Sequence, residues 1–586
     1  MNTRIVGSHS QQPGNVSQVS FKALDVARAF ALGRPSPVVE QGCRPQGVSN
    51  SAQLVRLIGH NFSAGSTHLY PRPATMETAP VCRTTRHRSA PKAQAAEHWQ
   101  HELLVDSQEV GKNRWGYSRV RKVTMSQLGH QPLSPLDGRY REATAPLAEF
   151  FSEAALNRAR VRVEIEWLIR LCAEGVAGTT PLPKATITSL RDVVARFSTA
   201  DVDAIAAYEA KTKHDVKAVE YYVRDVLSAE GLESLHELVH FGCTSEDINN
   251  VSYALVVRDG IASVWLPALV RVHESLRALA LSWRDQPMLA RTHGQPATPT
   301  TMGKEIAVFA HRLSSIIERV STQKYLAKFS GATGTFSAHV VAEPSVNWPV
   351  VSKKFVEDLG LTWNPLTTQI ESHDALAQVL GSISHGNKIL HNLATDMWTY
   401  ISLGCLSQIP EPGATGSSTM PHKINPIRFE NAEANFEISS ALLDSLATTL
   451  VTSRLQRDLT DSTTQRNIGV AIGHSLLALT NIHKGLGEID LNTEAIAADL
   501  AANWEVLAEA VQTVIRAEIV RGSSQLKDPY AVVKDLTRGQ KISEADLRKF
   551  IAGLDVSDHA KASLATLTPG LYTGLASALV NYLEGV

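Results

Sequence analysis

The sequence predicts an all-α fold in three consecutive helical parts, the middle one a bundle of long helices. Three observations carry that expectation. From Phe150 onward apolar residues recur at helical spacing: Leu269, Val272, Leu276, Leu279 and Trp283 step by three and four and make a narrow stripe. Phe309, Leu313, Ile316 and Val320 repeat the pattern, as do Leu390, Leu393, Met397 and Ile401. Alternating strand-like runs between Gly/Asn turns are scarce, which speaks against a parallel sheet. Stripes of this length, on helices of about thirty residues, suit a bundle that continues into partner subunits.

The chain opens on residues 1–124, which hold sixteen Lys/Arg against seven Asp/Glu; up to residue 95 the only acids are Asp25, Glu40 and Glu77. This stretch is rich in Ser, Gln, Pro, Gly and Arg, has no periodic apolar face, and reads as a disordered or dispensable extension. Three origins fit it: an organelle transit peptide, a disordered arm for an acidic partner, or a start-site artefact ahead of a true start at Met125. From Met125 the text becomes domain-like. An N-terminal helical domain is expected over 125–241, interrupted by PLPKAT near residue 181 and closed by HFGCTSEDINN at 240–250. A central long-helix domain follows over 242–485. A C-terminal helical domain, 486–586, carries shorter helices broken at Asp-Pro and Thr-Pro.

Composition excludes several classes. Fifty-seven basic against fifty-eight acidic side chains leave a net charge of −1, so no overall basic field points to nucleic acid. No uncharged apolar run reaches the ~18 residues of a membrane helix, and no membrane partner is expected. Cys43, Cys82, Cys172, Cys243 and Cys405 are scattered, with no CxxC pair. That pattern fits neither a disulfide scaffold nor a zinc site and suits a reducing, cytoplasmic setting. No Walker A string, GxGxxG, HExxH or Asp-rich magnesium motif occurs, so neither cofactor nor metal is expected.

Four polar islands interrupt the helical pattern. GATGSSTMPHKINPIRFEN, residues 413–431, combines small flexible residues with Ser417, Ser418, His422, Lys423 and Asn425 ahead of a helix, and reads as a loop able to close over a ligand. A cation such as Lys423, with backbone N–H groups, is what a serine needs to act as an alkoxide base. RTHGQPATPTTMGKE, residues 291–305, sets His293 among Gly, Gln, Thr and Pro, which suggests a cleft; a histidine titrates near ~6.5 when unperturbed, suiting proton transfer. In HFGCTSEDINN, Thr244 and Ser245 precede a helix start, as N-caps or as anion ligands beside the helix N-terminus. In KTKHDVKAVEYYV, His214 and Asp215 open a helix, Asp215 by itself reading as a first-turn acid. DGRY at 137–140 and SRLQRDLTDSTTQRN at 453–467 add Arg454, Arg457 and Arg466. So many arginines and hydroxyls imply a substrate with several negative charges. Cys243 has no activating base beside it in sequence and reads as a small core residue.

Together these strings resemble the fumarase/aspartase superfamily, whose loop signature GSSxMPxKxNP stands here as GSSTMPHKINP at 416–426. SPLDGRY, KHDVKAVEYYV, HFGCTSEDINN, RTHGQPATP, WNPLTTQIE and SRLQRDLTDST are similar, in order, to segments of its bacterial purine branch. The resemblance covers 125–586 and none of 1–124. It implies a three-part all-α fold, a homotetramer with active sites shared among three subunits, and elimination of fumarate from adenylosuccinate and SAICAR. By the same resemblance Ser417 is the base and His293 the general acid, with Glu430 orienting His293 from another subunit. Lys423 and Asn425 bind the carboxylate that gathers charge as the proton leaves. Lys213, His214, Asp215, Thr244, Ser245, Gln369, Ser418 and Asn431 contact substrate, and Arg139, Tyr140, Arg457, Ser462 and Arg466 surround the nucleotide and its phosphate. Position 213 is Lys where that branch carries Asn. Rival readings are argininosuccinate lyase, fumarase or aspartase, a silent helical scaffold, and a Ser–Lys amidohydrolase. His422 before Lys423 and the KHD string favour the purine branch, and the presence of both His293 and Ser417 argues against a scaffold.

Overall fold

The structure is a computed structural model that describes residues 132–410, 419–420, 422–537 and 541–583. The expectations for 1–124 and for Ser417 and Ser418 lie outside the described residues.

The first part holds α1 (Arg141–Phe151), α2 (Glu153–Ala173), α3 (Lys184–Ala195), α4 (Thr199–Thr212) and α5 (Asp215–Ala229). Ser152 has extended backbone between α1 and α2, and its hydroxyl accepts from Ala155 N at 3.1 Å, so the chain turns there without losing a helical donor. Val161, Val163, Ile165, Trp167, Leu168 and Leu171 of α2 are fully buried.

α6 (Ser245–Gly260) runs through a wide π-turn at Ile261–Trp265 into α7 (Leu266–Ser282) as one continuous 38-residue helix. By length and composition it would cross a membrane. Its Leu269, Val272 and Leu276, though, are fully buried in the protein core. An antiparallel hairpin, β1 (Pro287–Thr292) and β2 (Gln295–Thr301), leads into α8 (Met302–Ser321). After α9 (Ser337–Ala342) and α10 (Trp348–Asp358) come α11 (Asp374–Ser402), α12 (Ile427–Leu450), the short α13 (Thr460–Gln465) and α14 (Ile468–Gly487). α7 packs on α8, α8 on α11, α11 on α12, α12 on α14 and α14 back on α7, which closes a ring of five long helices. The three expected stripes line its interior: Leu313, Ile316, Leu390, Leu393 and Met397 are all fully buried.

Small pairings tie the linkers. β3 (Leu326–Ala327) runs parallel to β4 (Thr362–Trp363), and β5 (Leu406–Gln408) antiparallel to β6 (Ile489–Leu491). The last part is built of α15 (Thr493–Ala501), α16 (Ala508–Arg521), α17 (Pro529–Thr537), α18 (Glu544–Ala552), α19 (Asp558–Thr566) and α20 (Ala576–Leu579), short as expected. The expected all-α fold is present. Its first core reaches further along the chain than the sequence suggests, because Ile248, Val251 and Leu255 of α6 and Trp348, Val351 and Phe355 of α10 pack into it.

A fully buried polar chain crosses the ring. Trp265 Nε1 donates to Ser475 Oγ at 2.8 Å, Ser475 Oγ to Asn387 Oδ1 at 2.7 Å, Asn387 Nδ2 to Ser439 Oγ at 2.9 Å, and Ser439 Oγ to Ala471 O at 2.7 Å. These partners come from the π-turn, α14, α11 and α12, so sliding any of these helices would strand a buried donor or acceptor. The start of α8 is fixed differently: a Cβ on Gly303 would fall 2.5 Å from Arg284 N and Cα and meet Ala280 O. Backbone cannot yield there as a side-chain tip can. Gly303→Ala is therefore expected to destabilise the protein by about 1–3 kcal/mol or more. A fall in the urea midpoint at unchanged m-value would bear this out, and a wild-type midpoint would contradict the close approach.

Candidate active site

Side chains from α2, α5 and the 363–371 and 453–466 segments converge on the first two turns of α6. Thr244 is the N-cap of α6 and forms a capping box with Asp247. Ser245 Oγ lies 3.4 Å from His214 Nε2. His214 in turn caps α5, its Nδ1 accepting from Lys217 N at 3.2 Å, which places the neutral ring's proton on Nε2.

Asp215 is more than a first-turn acid. Its Oδ2 accepts from Arg160 Nη2 at 2.8 Å and from Arg466 Nη2 at 2.9 Å. Burial raises this carboxyl, but Arg160, the Val216 amide and Arg466 outweigh burial and hold it below the usual carboxylate range. Arg160 also donates from Nε to Asn249 Oδ1 at 2.9 Å, and Asn249 Nδ2 donates to Glu246 Oε1 at 3.2 Å. Arg457 reaches the same Glu246 oxygen from Nη2 at 3.0 Å and Gln369 Oε1 from Nη1 at 3.3 Å. Gln369 Nε2 donates to Ala332 O at 2.9 Å. One polar line thus runs Arg466, Asp215, Arg160, Asn249, Glu246, Arg457, Gln369.

Beside it, Ser462 follows the buried Asp461, whose Oδ1 accepts from Ser462 N at 2.7 Å. Asp461 Oδ2 lies 3.6 Å from His373 Nε2. Glu246 Oε2, Arg457 Nε and Asp461 Oδ2 are buried without a hydrogen-bond partner among the described residues. Orphaned polar atoms gathered in one place mark a site completed by a ligand or ordered water. Burial raises the Glu246 carboxyl; Arg457 opposes the rise and Asp461 adds to it.

The remaining expected residues lie outside this cluster. Asn431 Nδ2 donates to Tyr140 OH at 3.4 Å, and Asn431 Oδ1 accepts from Asn481 Nδ2 at 2.9 Å. Arg139 is exposed, its guanidinium 5.9 Å from the Tyr140 ring centre. Lys213 is the exposed, left-handed C-cap of α4 at φ 54°. Lys423 and Asn425 precede α12, with the Lys423 side chain exposed and its N donating to Met420 O at 3.0 Å. Glu430 Oε1 accepts from Trp398 Nε1 at 3.1 Å. His293 sits exposed at the tip of the β1–β2 hairpin, with φ 53° at His293 and 73° at Gly294. Two positive φ values in a two-residue turn are the type I′ geometry, which usually takes Asn or Gly at the first position. Among the described residues no hydrogen bond or ion pair joins His293 to another expected site residue. Arg454 is exposed and pairs with Asp458.

Arg160, Asn249, Glu246, Asp461 and His373 were not singled out from sequence. A signal existed for Arg160: with Glu164, Trp167 and Leu171 it falls on one helical face, putting two charges in an apolar stripe. Glu164, fully buried, holds the HFGCTSED segment by accepting from His240 N at 3.0 Å and lying 2.6 Å from His240 Nδ1. Burial lowers the His240 pKa, but Glu164, together with Glu220 and Asp247, more than offsets it and raises the net value. Burial pushes the Cys243 thiol well above its ordinary value, as suits a packed residue and not a thiolate nucleophile. Among the described residues no group of three His, Cys, Asp or Glu is placed to hold a metal ion. A separate groove of about 550 Å³ between α2, α3 and α10 has Arg191 and Arg170 already paired with Glu166 and Asp358.

Two family models match the chain, one described as "Lyase" over residues 138–436 and one as "Adenylosuccinate lyase C-terminal" over 453–573. The chain is 45% identical over 453 residues to the adenylosuccinate lyase of Legionella pneumophila (strain Corby), covering 77% of this chain and 98% of that protein. It is 42% identical over 454 residues to the Escherichia coli (strain K12) adenylosuccinate lyase, again covering 77% and 98%. For the Dictyostelium discoideum adenylosuccinate lyase the figures are 43% over 456 residues, 76% and 96%. The crystal structure of a fumarate lyase from Mesorhizobium sp. BNC1 matches the fold with a TM-score of 0.60 at 20% identity, covering 75% of this chain and 97% of that one. A 3-carboxy-cis,cis-muconate lactonizing enzyme from Pseudomonas putida does so at 0.57 and 20%, covering 75% and 96%.

The electrostatics of Asp215 set a pH-dependent expectation. Its folded pKa is depressed, so its contribution to stability is complete above the unfolded value of ~3.9 and is lost as pH falls through the lower folded value. Asp215→Asn is expected to lower the unfolding free energy by about 1–3 kcal/mol near neutral pH, less than for a sealed pair because Asp215 keeps a quarter of its side-chain exposure. Urea unfolding of both proteins across that range should show the gap narrowing as pH drops below ~4. A gap that stays constant would remove the ion pairs from the account.

Proposed function

The chain belongs to the adenylosuccinate lyase family of the fumarase/aspartase superfamily, and from that premise we propose how its residues carry the family's reaction. The protein is a carbon–nitrogen lyase that eliminates fumarate from adenylosuccinate and leaves AMP. We infer that SAICAR, which carries the same succinyl–nitrogen linkage, is its second substrate.

The polar line from Arg466 to Gln369 carries the assignment of the binding face. It sets two guanidiniums, Arg457 and Arg466, on a floor that already contains their counter-ions Glu246 and Asp215, so their orientation is set before an anionic substrate arrives. His214, Ser245 and Thr244 add donors and hydroxyls at one end of that line, Gln369 at the other. Lys213, Arg139, Tyr140, Ser462 and Asn431 complete the proposed contacts.

The reaction removes a proton from the succinyl carbon beside a carboxylate and breaks the bond from the neighbouring carbon to nitrogen. Ser417 takes the proton, the freed electron pair becomes the new C=C bond of fumarate, and the departing nitrogen takes a proton from His293. Negative charge gathers on the carboxylate next to the carbon acid while the proton leaves, and Lys423 and Asn425, with Ser418, hold that carboxylate. Each step is proton transfer or charge stabilisation, within the reach of these side chains.

A shared site explains why these groups are scattered in one chain. His293 is at an exposed hairpin tip and Glu430 on the outer face of α12, so partner chains have to bring them to the binding face. Ile427 and Ile438 are 59% and 47% exposed on α12, and with the exposed Ala434 and Ala441 they repeat at seven, four and three residues along one face. Trp398 of α11 is 41% exposed. Such a seam on a bundle helix is what a homotetramer would cover. Cys172, Cys243 and Cys405 are free, in keeping with a cytoplasmic enzyme.

The test is release of fumarate from adenylosuccinate followed by ultraviolet absorbance. Wild-type protein should produce fumarate and AMP together, and Ser417→Ala and His293→Ala should each lower kcat by about 10²–10⁴ without loss of assembly. A variant that keeps near-normal turnover would take that residue out of the catalytic pair.

A further inference from the structure

Asp247 lies two residues beyond Ser245, and both it and its partner Lys328 are fully buried, with Oδ1 to Nζ at 2.9 Å. The carboxylate gathers backbone donors from two separate segments. Oδ2 accepts from Thr244 N at 2.8 Å and from Gly331 N at 3.1 Å, and Oδ1 accepts from Ser330 N at 2.8 Å. Lys328 Nζ donates to Gly331 O at 2.9 Å. Asn250, on the next turn of α6, clasps the Lys328 backbone from the other side, Oδ1 accepting from its N at 2.8 Å and Nδ2 donating to its O at 3.0 Å.

The loop held this way is itself a seat. Gly331 and Gly334 have φ of 80° and 77°, and a Cβ on Gly334 would meet Thr367 O and lie 2.8 Å from Thr368 O. The 331–334 turn is thus pressed against the backbone that leads into Gln369, and Ala332 O accepts from Gln369 Nε2 at 2.9 Å. One carboxylate therefore joins the segment that presents Thr244 and Ser245 to the segment that seats Gln369.

Stability alone is a poor reason for such a pair, since a buried ion pair can often be replaced by apolar residues of similar volume at little loss. What an apolar replacement cannot do is accept three backbone N–H groups aimed from two directions. We propose that the Asp247–Lys328 pair is a positioning element that keeps the Thr244 and Ser245 hydroxyls in register with Gln369, so that the two segments meet substrate as one rigid surface. The pair touches no reacting atom itself. The inference rests on the assignment of Thr244, Ser245 and Gln369 as substrate contacts.

Full-length Asp247→Asn, Lys328→Met and the double variant separate positioning from plain stability, with KM for adenylosuccinate, kcat and Tm measured on each. Each single variant leaves a buried charge unpaired and should lose Tm; the double removes both charges and should recover much of it. An Asn at 247 keeps one acceptor and turns a donor toward the other amides, so the double should still lose about 10-fold to 10²-fold in kcat/KM, mainly through KM. Wild-type KM in a double variant of recovered Tm would overturn the proposal. Asp247→Glu, which keeps the pair but displaces the carboxylate by one methylene, should also raise KM, and a wild-type KM there would likewise overturn it if the double variant does not assemble. Ser245→Ala and Gln369→Ala test the underlying assignment: wild-type KM in both would overturn the contact reading, and the pair's role with it.

Discussion

A guanidinium stays charged in a protein interior, so sealing Arg160 at 1% exposure obliges the fold to place acceptors around it. It takes three, Asn157, Asn249 and Asp215, from α2, α6 and α5. Two of these acceptors, Asp215 and Asn249, each engage something further. Asp215 holds Arg466 and thereby the 453–467 segment; Asn249 turns its amide to Glu246, which holds Arg457 and, through it, Gln369. The proposed binding face is therefore an outgrowth of one buried charge. Its members are fixed before any ligand arrives, which is the condition under which charged groups bind an anion without first reorganising.

The ring of five helices supplies the frame for that face. α6 and α7 form one unbroken helix, with the polar cluster at its first turns and the bundle core along its second half. The chain from Trp265 through Ser475, Asn387 and Ser439 sets the register of that helix against α11, α12 and α14, and so sets where the first turns of α6 can lie. His293 sits elsewhere, on a hairpin whose left-handed backbone costs a non-glycine residue roughly 1–3 kcal/mol. A strained, exposed histidine that no hydrogen bond or ion pair joins to another expected site residue among the described residues, and an apolar seam exposed on α12, both support the proposed site completed on assembly.

The long stripes were legible because helical burial writes a period of three and four into neighbouring residues, and Leu269, Leu313, Leu390 and their fellows are buried as that period requires. The islands were legible as interruptions of it, and His214, Thr244 and Ser245 fall at helix starts as read. What sequence did not display is long-range partnership. Asp215 looked like a dipole acid because Arg160 is 55 residues earlier and Arg466 251 residues later. The return of α10 to the first core depends on the parallel β3–β4 pairing, whose two-residue strands leave no pattern. The 287–301 hairpin was hidden by Pro287, Pro296 and Pro299, which break both helical and alternating periods. The role of Asp247 was masked by its position as an ordinary capping-box acid.

The central claim is that a face prepared within one chain is completed by groups from its neighbours. Mixing two inactive proteins tests it most directly. Purified His293→Ala and Arg457→Ala variants, dissociated together and reassembled, should regain fumarate release from adenylosuccinate, because some mixed sites draw His293 from one parent and Arg457 from the other. A reassembled mixture with proven subunit exchange that stays as inactive as its parents would place both groups in the same chain's site and contradict the account.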